Sequence, residues 1–170
     1  MRRNLDSSRG LVRLSEEMEQ VRSYLAIEQA RFGERIRSEI DLAPGCDEWL
    51  VPPLLIQPLV ENSVRHGLQG REEGGRVRIE AHREDGHLCV VVEDDGLGMP
   101  PEIIGCILSP TSPASLCEGV GARNSNQRLV QLFGQEYALR IESAPGRGSR
   151  ISFRVPRAEG ETLATVPSAA

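Results

Sequence analysis

Residues 77–93 carry the pattern that leaves this chain the fewest folds. Val77, Ile79 and Ala81 alternate with Arg78, Glu80 and His82, the period of a half-buried strand. Asp85-Gly86 follows, a pair that suits a two-residue hairpin because both positions tolerate a left-handed backbone. The returning run, Leu88 to Glu93, is almost wholly apolar and so reads as a central strand. A hairpin whose second strand is this apolar needs further strands beside it and a layer covering it.

The rest of the chain supplies both. From about Ser15 to Arg35 the spacing of Met18, Val21, Leu25, Glu28, Phe32 and Ile36 predicts an amphipathic helix, its stripe broken only by Glu28. Ser15 reads as its N-cap, with Glu16 and Glu17 in the first turn, where the helix dipole favours acids. Ile36 to Leu42 reads as a short strand and Pro44-Gly45 as a turn. Pro58 at the first helical position predicts a helix to about His66, ended by Gly67. Residues 100–118 show no clean period, as in a lid over a site. A helix is expected from about Ala122 to Phe133, with Leu129, Val130, Leu132 and Phe133 on its apolar side. Strands at Tyr137–Ser143 and Arg150–Val155 follow, joined through Pro145-Gly146-Arg147-Gly148. This order predicts an α+β two-layer sandwich, a mixed sheet with helices on one face. Residues 1–14 read as the end of a linker or dimerisation region, 15–156 as the domain, and 157–170 as a disordered tail.

Composition narrows the function. All 20 basic residues are arginine. Without lysine a P-loop, a eukaryotic-type kinase site and Schiff-base chemistry cannot be built. A phosphate must then meet arginine, backbone N–H groups or a metal ion. The net charge of −5 and the scattered arginines argue against a nucleic-acid partner. No run of 18 apolar residues exists to span a membrane, and the first residues lack a secretory signal's apolar core. These features point to a cytoplasmic setting. The four cysteines form no C-x-x-C pair and read as free thiols.

Three segments could carry chemistry. Glu61, Asn62, Arg65 and His66 stand at spacings that share a helical face, and a carboxylate beside a carboxamide suits Mg²⁺. The plain alternative is a solvated helix face. Asp94-Asp95-Gly96-Leu97-Gly98 leaves the apolar strand; its aspartate could accept a hydrogen bond from a base, and its glycines admit a flat ring. An ordinary strand-ending turn has the same composition. Gly119-Val120-Gly121-Ala122-Arg123-Asn124 opens a helix, where N–H groups and Arg123 suit an anion. A hinge without a ligand is its alternative.

The order of these segments resembles the ATP-binding domain of the GHKL superfamily (gyrase, heat-shock chaperone, histidine kinase, MutL). The runs Tyr24-Leu25 to Arg31-Phe32-Gly33-Glu34-Arg35, Pro52-Pro53-Leu54-Leu55-Ile56-Gln57-Pro58-Leu59-Val60-Glu61-Asn62 and Arg65-His66-Gly67 are similar to the autolysin-regulator (LytS-type) sensor histidine kinases. The resemblance covers about Leu14 to Pro156 and implies the Bergerat fold, ATP and Mg²⁺. It implies that Asn62 holds the metal and that Glu61 acts as general base or orients an incoming imidazole. Arg65 and His66 would lie near the nucleotide. Asp94 would bond the adenine amino group, with Gly96 and Gly98 beside it. Gly119, Gly121, Arg123 and Asn124 would serve the phosphates, and the Ser149 hydroxyl would support Asp94.

Two departures stand out. Asp95 replaces the usual asparagine, placing a charge near the nucleotide, and Cys117-Glu118 replaces the usual Gly-Thr or Gly-Ser. The family's Asn-Pro-His-Phe acceptor run is also absent. The resemblance therefore implies a catalytic piece of a longer kinase, whose partners are a histidine-bearing dimerisation helix and a response regulator, with no nucleic acid and no membrane contact. A GHKL serine kinase of the anti-sigma type and a non-catalytic nucleotide-binding interaction module are the alternatives.

Overall fold

The computed structural model describes residues 10–111 and 120–158. Its centre is the expected hairpin. Strands β4 (Gly75–Glu84) and β5 (His87–Asp94) pair antiparallel from Val77↔Asp94 to Glu84↔His87. Asp85 and Gly86 take φ values of 48° and 74°, as a tight primed turn requires. Strand β2 (Ile36–Leu42) lies parallel to β4, while β7 (Ser149–Pro156) and β6 (Arg140–Ser143) continue the sheet antiparallel on the other side. The order β2-β4-β5-β7-β6 puts β5 in the middle of five strands, which explains its apolar run.

One face of the sheet is apolar: Val77, Ile79 and Ala81 of β4, Leu88, Val90 and Val92 of β5, and Ile151, Phe153 and Val155 of β7. Against it lie α1 (Leu14–Phe32), α2 (Gln57–Asn62) and α4 (Val120–Phe133), whose Met18, Val21, Leu25, Leu59, Val60, Ala122 and Leu129 complete a single core. The other face carries charges such as Arg76, Arg78 and Glu93. The mixed two-layer α+β sandwich is therefore as expected.

Several local expectations are corrected. Ser15 is not the N-cap of α1, because Leu14 N–H and Ser15 N–H donate to the carbonyls of Trp49 and Asp47, at 2.8 and 3.0 Å. These bonds come with a small antiparallel pair missed from sequence, β1 (Val12–Arg13) with β3 (Leu50–Val51). The chain past α1 tightens into a 3₁₀ turn, Gly33–Arg35, before β2. Residues 101–108, read as irregular, form helix α3 (Pro101–Leu108), started by a proline at its first position. Tyr137 belongs to a 3₁₀ turn, Gln135–Tyr137, so β6 starts only at Arg140. The buried face of α4 is partly polar: Arg123, Ser125 and Asn126 lie inward, while Val130, Leu132 and Phe133 are half-buried. Ser125 donates to the Leu55 carbonyl at 3.0 Å, and Asn126 accepts from Leu139 N–H at 2.9 Å, so each inward hydroxyl or amide ties α4 to another element. Cys46 and Cys89 are free thiols, whereas Cys106 is disulfide-bonded. Cys117-Glu118, Gly119 and the last residues of the tail lie outside the described residues.

Candidate functional site

Helix α2 does not stop at Gly67. It continues past Asn62 as a π-helical stretch, Ser63–Leu68. The wider turn is the sort of feature found at functional sites. It carries Gly67 against the end of β5, where a Cβ on Gly67 would stand 2.8 Å from Asp94 Oδ1. Gly67 thus serves as a point of close approach rather than as a helix stop. Its carbonyl accepts from Leu97 N–H at 3.0 Å, which pins the loop after β5 to the helix.

Asp94 is the centre of this junction and is only 5% exposed. Its Oδ1 accepts from Gly96 N–H at 2.9 Å. The Ser63 hydroxyl and the Ser149 N–H also reach the carboxylate. Burial nevertheless raises its pKa above the usual aspartate value; the three donors oppose that shift and Asp95 adds to it. Glycine is required around it. A Cβ on Gly96 would overlap the Gly67 carbonyl, and Gly98, at φ 70°, would drive one into the Ala144 carbonyl. The Ser149 side chain is directed elsewhere: its hydroxyl meets that of Ser143 at 3.0 Å, and Ser143 accepts from Met99 N–H at 2.8 Å. The hydroxyl on Asp94 belongs to Ser63, which its place next to Asn62 could have signalled.

Asp95 does not add a loose charge. Its Oδ1 accepts from Arg76 N–H at 2.7 Å, its carbonyl accepts from Arg71, and the Arg71 guanidinium stands 4.0 Å from its carboxylate.

The other face of α2 opens on a cleft of about 240 Å³ lined by Pro58, Glu61, Asn62, Arg65, His66, Val120 and Gly121. Here the structure brings together five residues singled out from sequence: Glu61, Asn62, Arg65, His66 and Gly121. Glu61 is held by Gln57, whose Nε2 donates to Glu61 Oε1 at 2.8 Å. A Cβ on Gly121 would come within 2.9 Å of Pro58 Cβ, so glycine lets the start of α4 close on α2. Arg65 and His66 are exposed and line this cleft. Arg123 and Asn124 do not line it. Arg123 is 8% exposed and its Nε has no hydrogen-bond partner among the described residues, while Asn124 is exposed.

Two acids that hold the site were not singled out as site residues. Glu17 of α1 is 1% exposed and accepts from the N–H groups of Leu54, Leu55 and Ile56 at 2.5, 3.0 and 3.1 Å, capping the entry to α2. Glu28, the break in the apolar stripe, accepts from Gln69 Nε2 at 2.9 Å just past the π-helical stretch and pairs with Arg31 at 3.3 Å.

The residues fit a purine nucleotide and a metal ion. Asp94 is a desolvated acceptor among glycines that leave room for a flat ring, and beside its partner Ser63 in the chain a carboxamide, a carboxylate and a guanidinium share an open cleft. Residues 53–159 match the histidine kinase-, DNA gyrase B-, and HSP90-like ATPase family. The chain belongs to that family. Residues 1–36 also match a histidine kinase family. The sensor protein LytS of Bacillus subtilis (strain 168) is 34% identical over 156 residues, 91% of this chain and 26% of that protein. The sensor histidine kinase YesM of the same organism is 33% identical over 92% of this chain and 26% of its own length. The chain thus spans about a quarter of the length of these relatives. The histidine kinase domain of the Erythrobacter litoralis EL346 blue-light activated kinase has the same fold, with a TM-score of 0.60 and 21% identity over 86% of this chain and 62% of that one. No described helix of this ATPase-family domain is long and apolar enough to cross a membrane.

Proposed function

We propose that the domain binds ATP with Mg²⁺ and is the catalytic module of a cytoplasmic part of a two-component sensor histidine kinase. It passes the γ-phosphoryl group to a histidine on a dimerisation helix, from which the group goes to a response-regulator aspartate. The observation that carries this reading is the buried Asp94 carboxylate, linked through Ser63 to the cleft that holds Glu61, Asn62, Arg65 and His66.

The chain's own residues have separate tasks. Asp94 accepts a hydrogen bond from the adenine amino group with the capacity that its three donors, Gly96 N–H, Ser63 hydroxyl and Ser149 N–H, leave open, and Gly96 and Gly98 let the ring lie against backbone. Asn62 holds the metal ion, which when bound neutralises phosphate charge. Arg65 and His66 donate to phosphate oxygens, and the Gly121 backbone lies at the same cleft. Glu61, oriented by Gln57, takes the proton of the acceptor imidazole as the new N–P bond forms and the bond to the β-phosphate oxygen breaks. Such a transfer asks mainly for positioning and charge stabilisation.

The test is phosphotransfer in trans. The chain is mixed with ATP–Mg and a LytS-type dimerisation helix, and calorimetry measures nucleotide binding in parallel. Expected is acid-labile phosphate on the helix, lost in Asn62→Ala and Asp94→Ala, with no stable phosphohistidine on this chain alone. Acid-stable phosphoserine on a partner would favour a serine kinase. Absence of any heat or thermal shift with ATP–Mg would favour an interaction module.

A further inference from the structure

The outer face of the sheet holds a donor set that the nucleotide chemistry does not use. Along β4 the side chains of His82 and Glu84 point to the same, solvent side, two residues apart. The register of the hairpin sets Cys89 directly opposite His82. One imidazole nitrogen, one carboxylate oxygen and the thiol sulfur consequently lie within 4.8 Å of one another, and the Cys89 thiol already donates to Glu84 Oε2 at 3.9 Å.

We propose that this end of the β4–β5 hairpin binds a borderline-soft divalent cation of the Zn²⁺ class, held by the His82 imidazole, the Glu84 carboxylate and the Cys89 thiolate.

The chemistry of the set selects the ion. A thiolate with an imidazole and a carboxylate suits Zn²⁺ and its neighbours, whereas Mg²⁺ prefers oxygen ligands alone. Three protein ligands leave a fourth tetrahedral position for water. Ligand atoms around tetrahedral zinc stand roughly 3.3–3.8 Å apart, so the three atoms close on the ion by small rotations of exposed side chains. The backbone beneath them is a paired hairpin with a tight turn, which keeps the Cα positions fixed while the side chains adjust.

Neighbouring groups do not compete. His87 is committed on both ring nitrogens, to the Asp85 carbonyl at 2.8 Å and the Tyr137 hydroxyl at 3.1 Å. Cys46 lies buried on the other side of β4, its thiol donating to the Ala81 carbonyl at 3.7 Å. Arg154, opposite Cys89 on β7, is drawn over the Tyr137 ring, 5.4 Å from its centroid. Binding displaces one proton, from the Cys89 thiol to solvent, as the sulfur–metal bond forms. Asp94 lies five residue steps along β5 from Cys89, about 17 Å at the strand's rise of ~3.3 Å per residue. The site is therefore distinct from the one built around Asp94 and Asn62.

Cobalt(II) titration of the whole chain under reducing conditions tests the assignment, with Cys89→Ser, His82→Ala and Glu84→Gln alongside and circular dichroism confirming that each is folded. One equivalent is expected to produce thiolate-to-cobalt charge-transfer absorption and visible bands of tetrahedral intensity, both bleached by Zn²⁺ and untouched by excess Mg²⁺. Cys89→Ser should abolish the charge-transfer band, and His82→Ala and Glu84→Gln should each weaken binding by at least about tenfold. The proposal is overturned if wild type gives no such band. It is equally overturned if the band persists in Cys89→Ser, or if His82→Ala and Glu84→Gln bind as wild type does.

Discussion

At Asp94 stability and recognition pull in opposite directions. Burial raises its pKa, so the fold favours the protonated form. By linkage, a carboxyl with a folded pKa above its unfolded one contributes most stability in acid, and that contribution is lost as pH rises through the folded value. Adenine recognition needs the ionised form, because a protonated carboxyl offers less acceptor capacity to an amino group. ATP affinity should therefore begin to fall on acidification at a pH above the ordinary aspartate range, measured by calorimetry across pH. Asp94→Asn removes the cost of the buried charge but turns an amide donor toward the base amino group. It should raise the melting temperature at neutral pH and weaken ATP by at least about tenfold, as expected for loss of a hydrogen bond to a charged group. A lower melting temperature would show that the three donors outweigh burial. Arg65 is the complementary case at the phosphate end. Arg65→Ala should weaken ATP more than AMP, and equal weakening would mean that its guanidinium does not face the phosphates.

Among the elements, α2 depends most on a residue outside it. Three N–H groups at its entry, from Leu54, Leu55 and Ile56, are satisfied by the one buried carboxylate of Glu17, and Leu54 takes a φ of 55° to reach it. Glu17→Ala strands the Leu55 and Ile56 donors in the core, leaves that of Leu54 to solvent, and should cost about 3 kcal/mol in denaturant unfolding. It should also weaken ATP–Mg, because α2 carries Asn62. Glu17→Gln, which keeps an acceptor but loses the charge, should lie between. Glu17 also marks where sequence reading ends. The hairpin, β2 and the central place of β5 were legible because alternation and Asp85-Gly86 act locally. The cleft residues were legible because Glu61, Asn62, Arg65 and His66 share one helical surface. The partners of Glu17 lie 37–39 residues away, and no local pattern announces them. Gly67 looked like a helix end because a glycine after a helical run usually is one. Its true demand comes from Asp94 and Gly96 across the fold. Pro100-Pro101 and Gly105 hid α3 in the same way, by supplying breakers where a proline at the first turn merely starts a short helix.

Over the whole molecule the electrostatics oppose the ligand. The chain carries a net charge of −5 with no lysine, and at the cleft Glu61 adds a carboxylate close to Arg65. Arg71 does not line the cleft and is engaged with Asp95 and Glu73. A metal-free triphosphate would meet this field with the Arg65 guanidinium to offset it, whereas a bound divalent cation reduces the ligand's charge by two. Chelation with EDTA at constant ionic strength should therefore lower ATP affinity by at least about tenfold and change AMP affinity far less, since one tenfold step needs only about 1.4 kcal/mol. Added salt should narrow the ATP difference by screening the repulsion. Asn62→Ala decides whether the effect runs through the proposed ligand. If Asn62 holds the ion, the substitution and chelation remove the same interaction, so EDTA should add little to the variant's loss. Full additivity of the two would place the metal on other groups, and ATP affinity indifferent to EDTA in wild type would remove the metal from the binding step altogether.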